Sequence, residues 1–419
     1  MKKLLVLSLI PLFSLSACNS KPLYDEIALN HPKKTFNNNN QTLNEKYVQS
    51  LRDFTVDFMK HSTTKEEQWV FSPLSIATCL SMINEGAKGI TREEIDKVLH
   101  YNNEFTPKEE IKKMLLNIAI DMPSHGTYLD INQSLWTHGD GDNIVKDYIQ
   151  TLNDYYFAEV IHADLTSKDT LPILADWINR KTKNFLDMKP EDLENFLSPN
   201  PVCWLLNSVY LKSKWKQPFD KKNNVDGTFT KADGKTVSAT YMTRKDEDNR
   251  LPYYECDDYL ISSLEFNEKI NIQILLPKEG KDCDSILKDT NNIENLLNYK
   301  KLNKETDIID YKIPKFDIKV DTDLKGTLLA MGCTSMFGNT ANLNGLDVRE
   351  GYAYIAEAAH KARIKLDNQG VEAAAFTGFG AQGKSAPAKC INFHVTRPFM
   401  YSITDQNGLP LFMGVMNSI

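Results

Sequence analysis

The first half of the chain carries apolar residues at the three- and four-residue spacing of amphipathic helices. This pattern predicts helices over residues 45–61, 75–84, 91–99 and 170–185. At the start of the third helix, Thr91 is followed three residues later by Glu94, which is the spacing of a capping box. We therefore expect Thr91 to be the N-cap of that helix.

The second half changes to short segments rich in β-branched and aromatic residues, a composition that favours strands. Strands are predicted over residues 203–211, 236–242, 260–266, 271–276, 308–320, 399–404 and 411–416. The last two flank Asn407-Gly408, a dipeptide typical of hairpin turns. Helices come first and strands later, without regular βαβ alternation, so the chain is predicted to form one mixed α+β domain over residues 45–419.

The first twenty residues are typical of an exported protein. Lys2-Lys3 precede the apolar residues 4–13, a stretch too short to span a bilayer. The following Leu15-Ser16-Ala17-Cys18 resembles the bacterial lipobox, in which the chain is cleaved before the cysteine and the thiol receives diacylglycerol. We expect residues 1–17 to be a lipoprotein signal peptide and Cys18 to anchor the protein in the cell envelope, on the periplasmic or the surface face of the outer membrane. Ordinary secretion with cleavage near the same place is the alternative.

Residues 18–44 are polar, include a run of four asparagines and have no periodic apolar face. They are predicted to be a lipidated tether between the anchor and the domain. The chain has seven cysteines, and those after Cys18 form no CxxC pair, so isolated thiols are expected in the domain.

Charge and motifs exclude several classes of function. The 49 basic and 56 acidic residues give a net charge of −7, which supplies no field to attract nucleic acid. The stretch 378–383 matches GxGxxG, but Pro387 follows too soon for the helix that a dinucleotide site needs. No HExxH or GxSxG motif is present. We expect no cofactor and no metal, and a hydrolase built from scattered residues is only an outside alternative.

A run of small residues, Gly370-Val371-Glu372-Ala373-Ala374-Ala375-Phe376-Thr377, stands before a Gly-rich stretch near the C-terminus. Together with other motifs in the same order along the chain, it makes residues 54–419 resemble the serpin family. The matching motifs are FSPLSI at 71–76, NSVYLKSKWKQPF at 207–219, IPKF at 313–316, HKA at 360–362, RPF at 397–399 and LFMG at 411–414.

The resemblance implies helices packed on three β-sheets, with an exposed reactive loop over about residues 368–392. In serpins a protease cleaves this loop, which then inserts into the large sheet as a new strand and carries the acylated protease along. The hinge residues implied are Gly370, Val371, Glu372, Ala373, Ala374, Ala375 and Thr377. Because side chains alternate along a strand, Val371 turns inward and Glu372 stays in water. The inward Phe379 is bulky, and we expect it to slow insertion.

The usual hinge length of the family puts the reactive bond at Lys384-Ser385, and a lysine there suits a trypsin-like protease with a carboxylate in its specificity pocket. Cleavage at Ala381, Gln382 or Lys389 is the alternative. The resemblance further implies a polar cluster beneath the opening of the large sheet and an aromatic residue where the loop enters; these residues are Ser72, Ser75, Asn207 and His360, and Trp215.

We therefore expect a monomeric suicide-substrate inhibitor of a serine protease, without catalytic residues of its own. A non-inhibitory serpin that acts as a binding protein is the alternative.

Overall fold

The computed structural model describes residues 28–37, 41–62, 68–197, 199–245, 250–355, 359–371 and 389–419. No helix within these ranges is long and apolar enough to cross a membrane.

The helices fall mainly in the first half of the chain, as the apolar spacing predicts. Their bounds are α1 (Glu45–His61), α2 (Pro73–Gly86), α3 (Gly89–Val98), α4 (Pro107–Ile118), α5 (Lys146–Tyr156), α6 (Thr170–Lys181), α7 (Cys283–Leu287), α8 (Thr290–Leu297) and α9 (Leu324–Ala330).

Several helix ends differ from the predictions by one to four residues, and two of these differences have a clear cause. The capping box at Thr91 is wrong, because α3 begins at Gly89 and Thr91 lies inside its first turn. Thr91 Oγ1 instead accepts a hydrogen bond from the Asn342 backbone, 3.0 Å away, so it ties the helix to a distant loop. The end of α6 comes at Lys181 rather than at 185, because Lys183 and Asn184 take left-handed φ angles of 52° and 60°.

The strands occupy the middle and the end of the chain. Their bounds are β1 (Gln68–Phe71), β2 (Ile120–Met122), β3 (Thr127–His138), β4 (Glu159–Ala163), β5 (Cys203–Lys214), β6 (Val225–Thr230), β7 (Thr236–Lys245), β8 (Leu251–Glu255), β9 (Tyr259–Glu265), β10 (Asn271–Pro277), β11 (Glu305–Pro314), β12 (Phe316–Asp323), β13 (Ala359–Asp367), β14 (Gly370–Val371), β15 (Cys390–His394), β16 (Phe399–Thr404) and β17 (Pro410–Met416).

The large sheet has the order β12-β13-β14-β5-β3-β2, with β4 beside β3. The other strands follow the path β1-β17-β16-β10-β9-β8-β11-β7-β6, with β15 beside β11. Within this path β11 changes partner, pairing with β8 through residues 305–307 and with β7 through residues 310–314. The path therefore consists of two sheets that share β11, and the described strands form the three sheets that were expected.

One predicted strand is divided in two. The apolar pattern over residues 308–320 predicts a single strand, but β11 ends at Pro314 and β12 starts at Phe316 in a different sheet. Proline has no backbone N–H to continue a ladder, so the change of sheet comes at this residue.

The two faces of the large sheet pack against different cores. Side chains on one face join the main core with α1, α2 and α5. Side chains on the other face form a second core with α6, in which Trp136 of β3 and Trp204 of β5 lie near Trp177. This alternation fixes which face each residue of β5 presents, and odd-numbered positions from Cys203 to Leu211 point to α2.

The predicted tether is wrong for the part of it that the structure describes. Residues 28–37 lie along the large sheet: the Leu29 N–H donates to the Val160 carbonyl over 2.8 Å, and Lys34 Nζ lies 2.7 Å from Asp130 Oδ1 in a buried ion pair. Farther on, the Asn37 N–H donates to the Ala119 carbonyl over 2.7 Å. The segment stays bound because its polar groups find partners on the domain, which apolar periodicity does not reveal.

Candidate functional site

The first two hinge residues already form part of the large sheet. Gly370 and Val371 make up β14, which lies between β13 and β5 and is antiparallel to both. Val371 is opposite Leu366 on one side and Ser213 on the other, and it is only 2% exposed. The Val371 side chain is therefore buried inside the large sheet.

Gly370 is required where the chain turns between β13 and β14. Its φ angle is +132°, a backbone conformation that L side chains rarely adopt. A Cβ atom at this position would stand 2.2 Å from the Ser213 carbonyl oxygen. Glycine thus allows the backbone of the hinge to approach β5 closely enough to pair with it.

Trp215 holds the turn that precedes the hinge. Its Nε1–H donates to the Asp367 carbonyl over 2.8 Å, and its backbone N–H donates to the Gln369 carbonyl at the same distance. The indole ring stacks on Phe266 with 4.2 Å between ring centroids. Trp215 is 2% exposed, so a buried aromatic residue packs against the turn that leads into β14.

Beyond Val371, toward the start of β5, the large sheet has a gap between β5 and β13. In the part of the chain that the structure describes, β5 pairs with β3 and β14, and β13 pairs with β12 and β14, but β5 and β13 do not pair with each other. β5 and β13 run parallel to each other, and β14 is antiparallel to both. A strand that continued from Val371 into the gap would therefore have the orientation needed for antiparallel pairing with each of them.

A cavity of about 340 Å³ lies beneath the lower part of this gap, between β5, α2 and α9. Most of its lining is apolar, including Ile76, Leu80 and Leu328, and Asn207 and His360 lie at its border. Cys79 and Cys203 also line it. Burial raises the pKa of each thiol to about 12, so both stay protonated at neutral pH and neither is a ready nucleophile.

The four predicted polar residues come together above α2. Ser75 Oγ donates to Asn207 Oδ1 over 2.6 Å, which joins the helix to β5. The Ser72 backbone N–H donates to His360 Nε2 over 3.1 Å, which joins the start of the same helix to β13. The two strands that border the gap, β5 and β13, are thus both hydrogen-bonded to α2. Moving these strands apart, or placing another strand between them, must change these hydrogen bonds.

Gln133 extends this polar cluster and was not predicted. It lies opposite Asn207 in the β3–β5 ladder, is 1% exposed, and neither of its side-chain amide atoms has a hydrogen-bond partner in the described part of the protein. Asn207 Nδ2 is likewise without a partner there. The sequence did contain a signal for Gln133. It is a polar residue on a face of β3 where the neighbouring positions on that face, Ile131 and Leu135, are apolar.

Several predicted site residues lie outside the described ranges and stay predictions. They are the hinge residues Glu372, Ala373, Ala374, Ala375 and Thr377, the reactive bond Lys384-Ser385, and the lipidation site Cys18. Among the described residues, no group of three or more His, Cys, Asp or Glu side chains could hold a metal ion.

Comparison with known proteins decides the family. Residues 49–419 match the family model described as serpin (serine protease inhibitor). The chain belongs to the serpin family. Among curated proteins, this serpin is 27% identical to alpha-1-antitrypsin 1-2 of Mus musculus over 375 residues, which cover 87% of each chain. It is 28% identical to an uncharacterized serpin-like protein of Thermococcus kodakarensis over 381 residues, which cover 88% of this chain and 85% of the relative.

Solved structures agree with the architecture of this serpin. The native state of tengpin, a thermophilic serpin, superposes with a TM-score of 0.79 at 22% identity, covering 95% of this chain and 99% of tengpin. The fold is therefore that of serpins, with helices on several sheets, and serpins are generally protease inhibitors.

Proposed function

We propose that this serpin is a suicide-substrate inhibitor of a serine protease, which it traps by inserting its cleaved loop between β13 and β5. The observation that carries the proposal is β14: the hinge already pairs with both strands, and the sheet below it is open. Among the described residues, β14 is antiparallel to two strands whose facing edges are otherwise unpaired, and this is the geometry that strand addition needs.

The pairing of Val371 sets the register of the inserted strand. Continued from Ser213, it brings Ala373 opposite Leu211 and Ala375 opposite Val209 in β5. These small side chains would enter the core face of the sheet, where Leu211 is already buried. Small inward residues favour rapid insertion, and insertion must precede hydrolysis of the acyl bond if the protease is to be trapped.

The same register carries Thr377 into the polar cluster. Thr377 would lie between Asn207 in β5 and His360 in β13. Its hydroxyl group could then accept a hydrogen bond from Asn207 Nδ2, which has no partner in the described part of the intact protein. Insertion would satisfy a buried donor, and this favours the inserted state.

The target class follows from the residue at the reactive bond. Lys384 would occupy a specificity pocket that holds a carboxylate, so a trypsin-like protease is the proposed target.

The proposal includes the Cys18 lipid anchor. From Cys18 the chain can reach at most about 35 Å to Ala28, and Ala28 bridges to Ile161 near the end of β3 that is remote from β14. The anchor would thus hold the reactive loop away from the membrane.

The test is to mix the protein with trypsin and to look for a covalent complex that survives boiling in SDS. We expect a complex with the mass of trypsin plus the protein without residues 385–419, and a released fragment whose new N-terminus is Ser385. Complete cleavage without any complex would contradict inhibition and would favour the non-inhibitory binding protein of the same fold.

A further inference from the structure

The cavity beneath the gap is lined mostly by apolar side chains. We propose that it receives the Phe379 side chain when the cleaved loop inserts, so that this bulky residue completes the core instead of obstructing the sheet. The inference rests on the proposed loop insertion and adds to it the residue that fills the cavity.

The register leads to Phe379. With Val371 opposite Ser213 and Gly370 opposite Lys214, each further residue along the loop meets one residue earlier in β5, which places Phe379 opposite Leu205. Residues directly opposite each other in an antiparallel pair share a face of the sheet. Leu205 packs with the main core and lines the cavity, so Phe379 would point into the same space.

The side chains around that point have the right chemistry for an aromatic ring. Cys79 Sγ lies 3.8 Å from the Leu205 carbonyl oxygen, so the thiol is close to the β5 residue that Phe379 would face. Around it the lining is apolar, with Ile76, Leu80, Ile83, Leu328 and Met336. An aromatic ring gains most from burial among such side chains, and sulfur close to a ring is a favourable contact.

The size of the cavity also fits. A cavity of about 150 Å³ lined by leucine, isoleucine and phenylalanine holds a benzene molecule, and this one measures about 340 Å³. It therefore has room for a phenyl ring that is still attached to a strand. Unfilled apolar space destabilises a protein in proportion to its volume, so filling it would add to the stability gained on insertion.

The experiment compares the melting temperatures of intact and cleaved protein for the wild type, Phe379→Ala and Phe376→Ala, in the full chain. Phe376 provides the matched control, because the same register places it opposite Ser208 on the other face of the sheet. We expect Phe379→Ala to leave the intact form unchanged and to lower the melting temperature of the cleaved form by about 5 °C. For Phe376→Ala we expect less than half of that loss.

A second pair of variants approaches the cavity from the helix. Cys79→Phe would fill the cavity from α2. With the wild-type loop it should reduce the rise in melting temperature on cleavage, and in combination with Phe379→Ala it should reduce that rise much less. If cleaved wild type gains no stability, loop insertion itself fails and the inference falls with it. If the wild type gains stability and Phe379→Ala gains as much, insertion stands and the assignment of Phe379 to the cavity is wrong.

Discussion

Replacing Val371 with arginine perturbs the hinge at the one inward position that the structure describes in place. Val371 is 2% exposed and lies between Leu366 and Ser213, in the space through which the rest of the loop would have to follow. An arginine side chain there must either bury its guanidinium group in the core face or pull β14 out of the sheet.

The magnitude can be worked from this burial. Losing the buried valine removes about 1.5 kcal/mol of apolar stabilisation. Desolvating an unpaired guanidinium costs several kcal/mol more, so a total of at least about 4 kcal/mol is expected. If this cost is present when the strand enters, insertion slows by roughly a thousandfold, because each 1.4 kcal/mol is a factor of ten in rate.

The assay follows complex formation with trypsin by SDS gel and counts the inhibitor molecules consumed per protease trapped. We expect Val371→Arg to be cleaved as fast as the wild type, because the reactive bond is distant from the hinge, but to yield no complex. Val371→Thr keeps the β-branched shape without the charge and should still trap the protease. Trapping by Val371→Arg at the wild-type ratio would refute the reasoning.

The other predictions address separate parts of the account. Lys384→Glu should slow cleavage by trypsin by orders of magnitude, and sequencing of the released fragment checks the bond. Asn207→Ala should lower the melting temperature of the cleaved form more than that of the intact form, because it removes the proposed bond to Thr377; equal losses would contradict that bond. Cys18→Ala should release the protein from membranes, as fractionation and mass spectrometry would show. Burial raises the pKa of the Asp405 carboxyl to about 6 from its usual 3.8, so this group contributes stability at low pH that is lost as the pH rises. Asp405→Asn should therefore become more stable relative to the wild type between pH 4 and 7, by roughly 2 kcal/mol; a constant difference would contradict the raised pKa.

Local patterns in the sequence predicted those elements whose structure is decided locally. The hairpin at Asn407-Gly408 is an example: Gly408 has a φ angle of +77°, which glycine adopts without strain, and β16 and β17 pair on either side. The composition of residues 203–211, rich in β-branched and aromatic side chains, likewise predicted a strand, and the apolar side chains of β5 pack in the two cores.

Features set by distant partners were missed. Asn30, Lys34 and Asn37 are polar residues in a polar segment, and only their partners on β4, β3 and β2 distinguish the bound segment from a tether. Thr91 has a good N-cap sequence, but Asn342 offers its hydroxyl group a tertiary partner, and the helix starts earlier. The polar cluster at the sheet opening was expected from the family resemblance. Gln133 interrupts the apolar alternation of its strand in the sequence, but its place beside Asn207 depends on the register of β3 and β5.

Hydrogen exchange in the large sheet, before and after cleavage of the loop, tests the central claim most directly. In the intact protein, alternate backbone N–H groups of β5 and β13 beyond Val371 point into the gap, because among the described strands each is paired there on its other edge only. If the loop inserts, the alternate amides of residues 205–212 and 359–365 that face the gap should become strongly protected once the protein is cleaved, with little change in β16 and β17. Unchanged exchange along β5 and β13 in fully cleaved protein would contradict loop insertion.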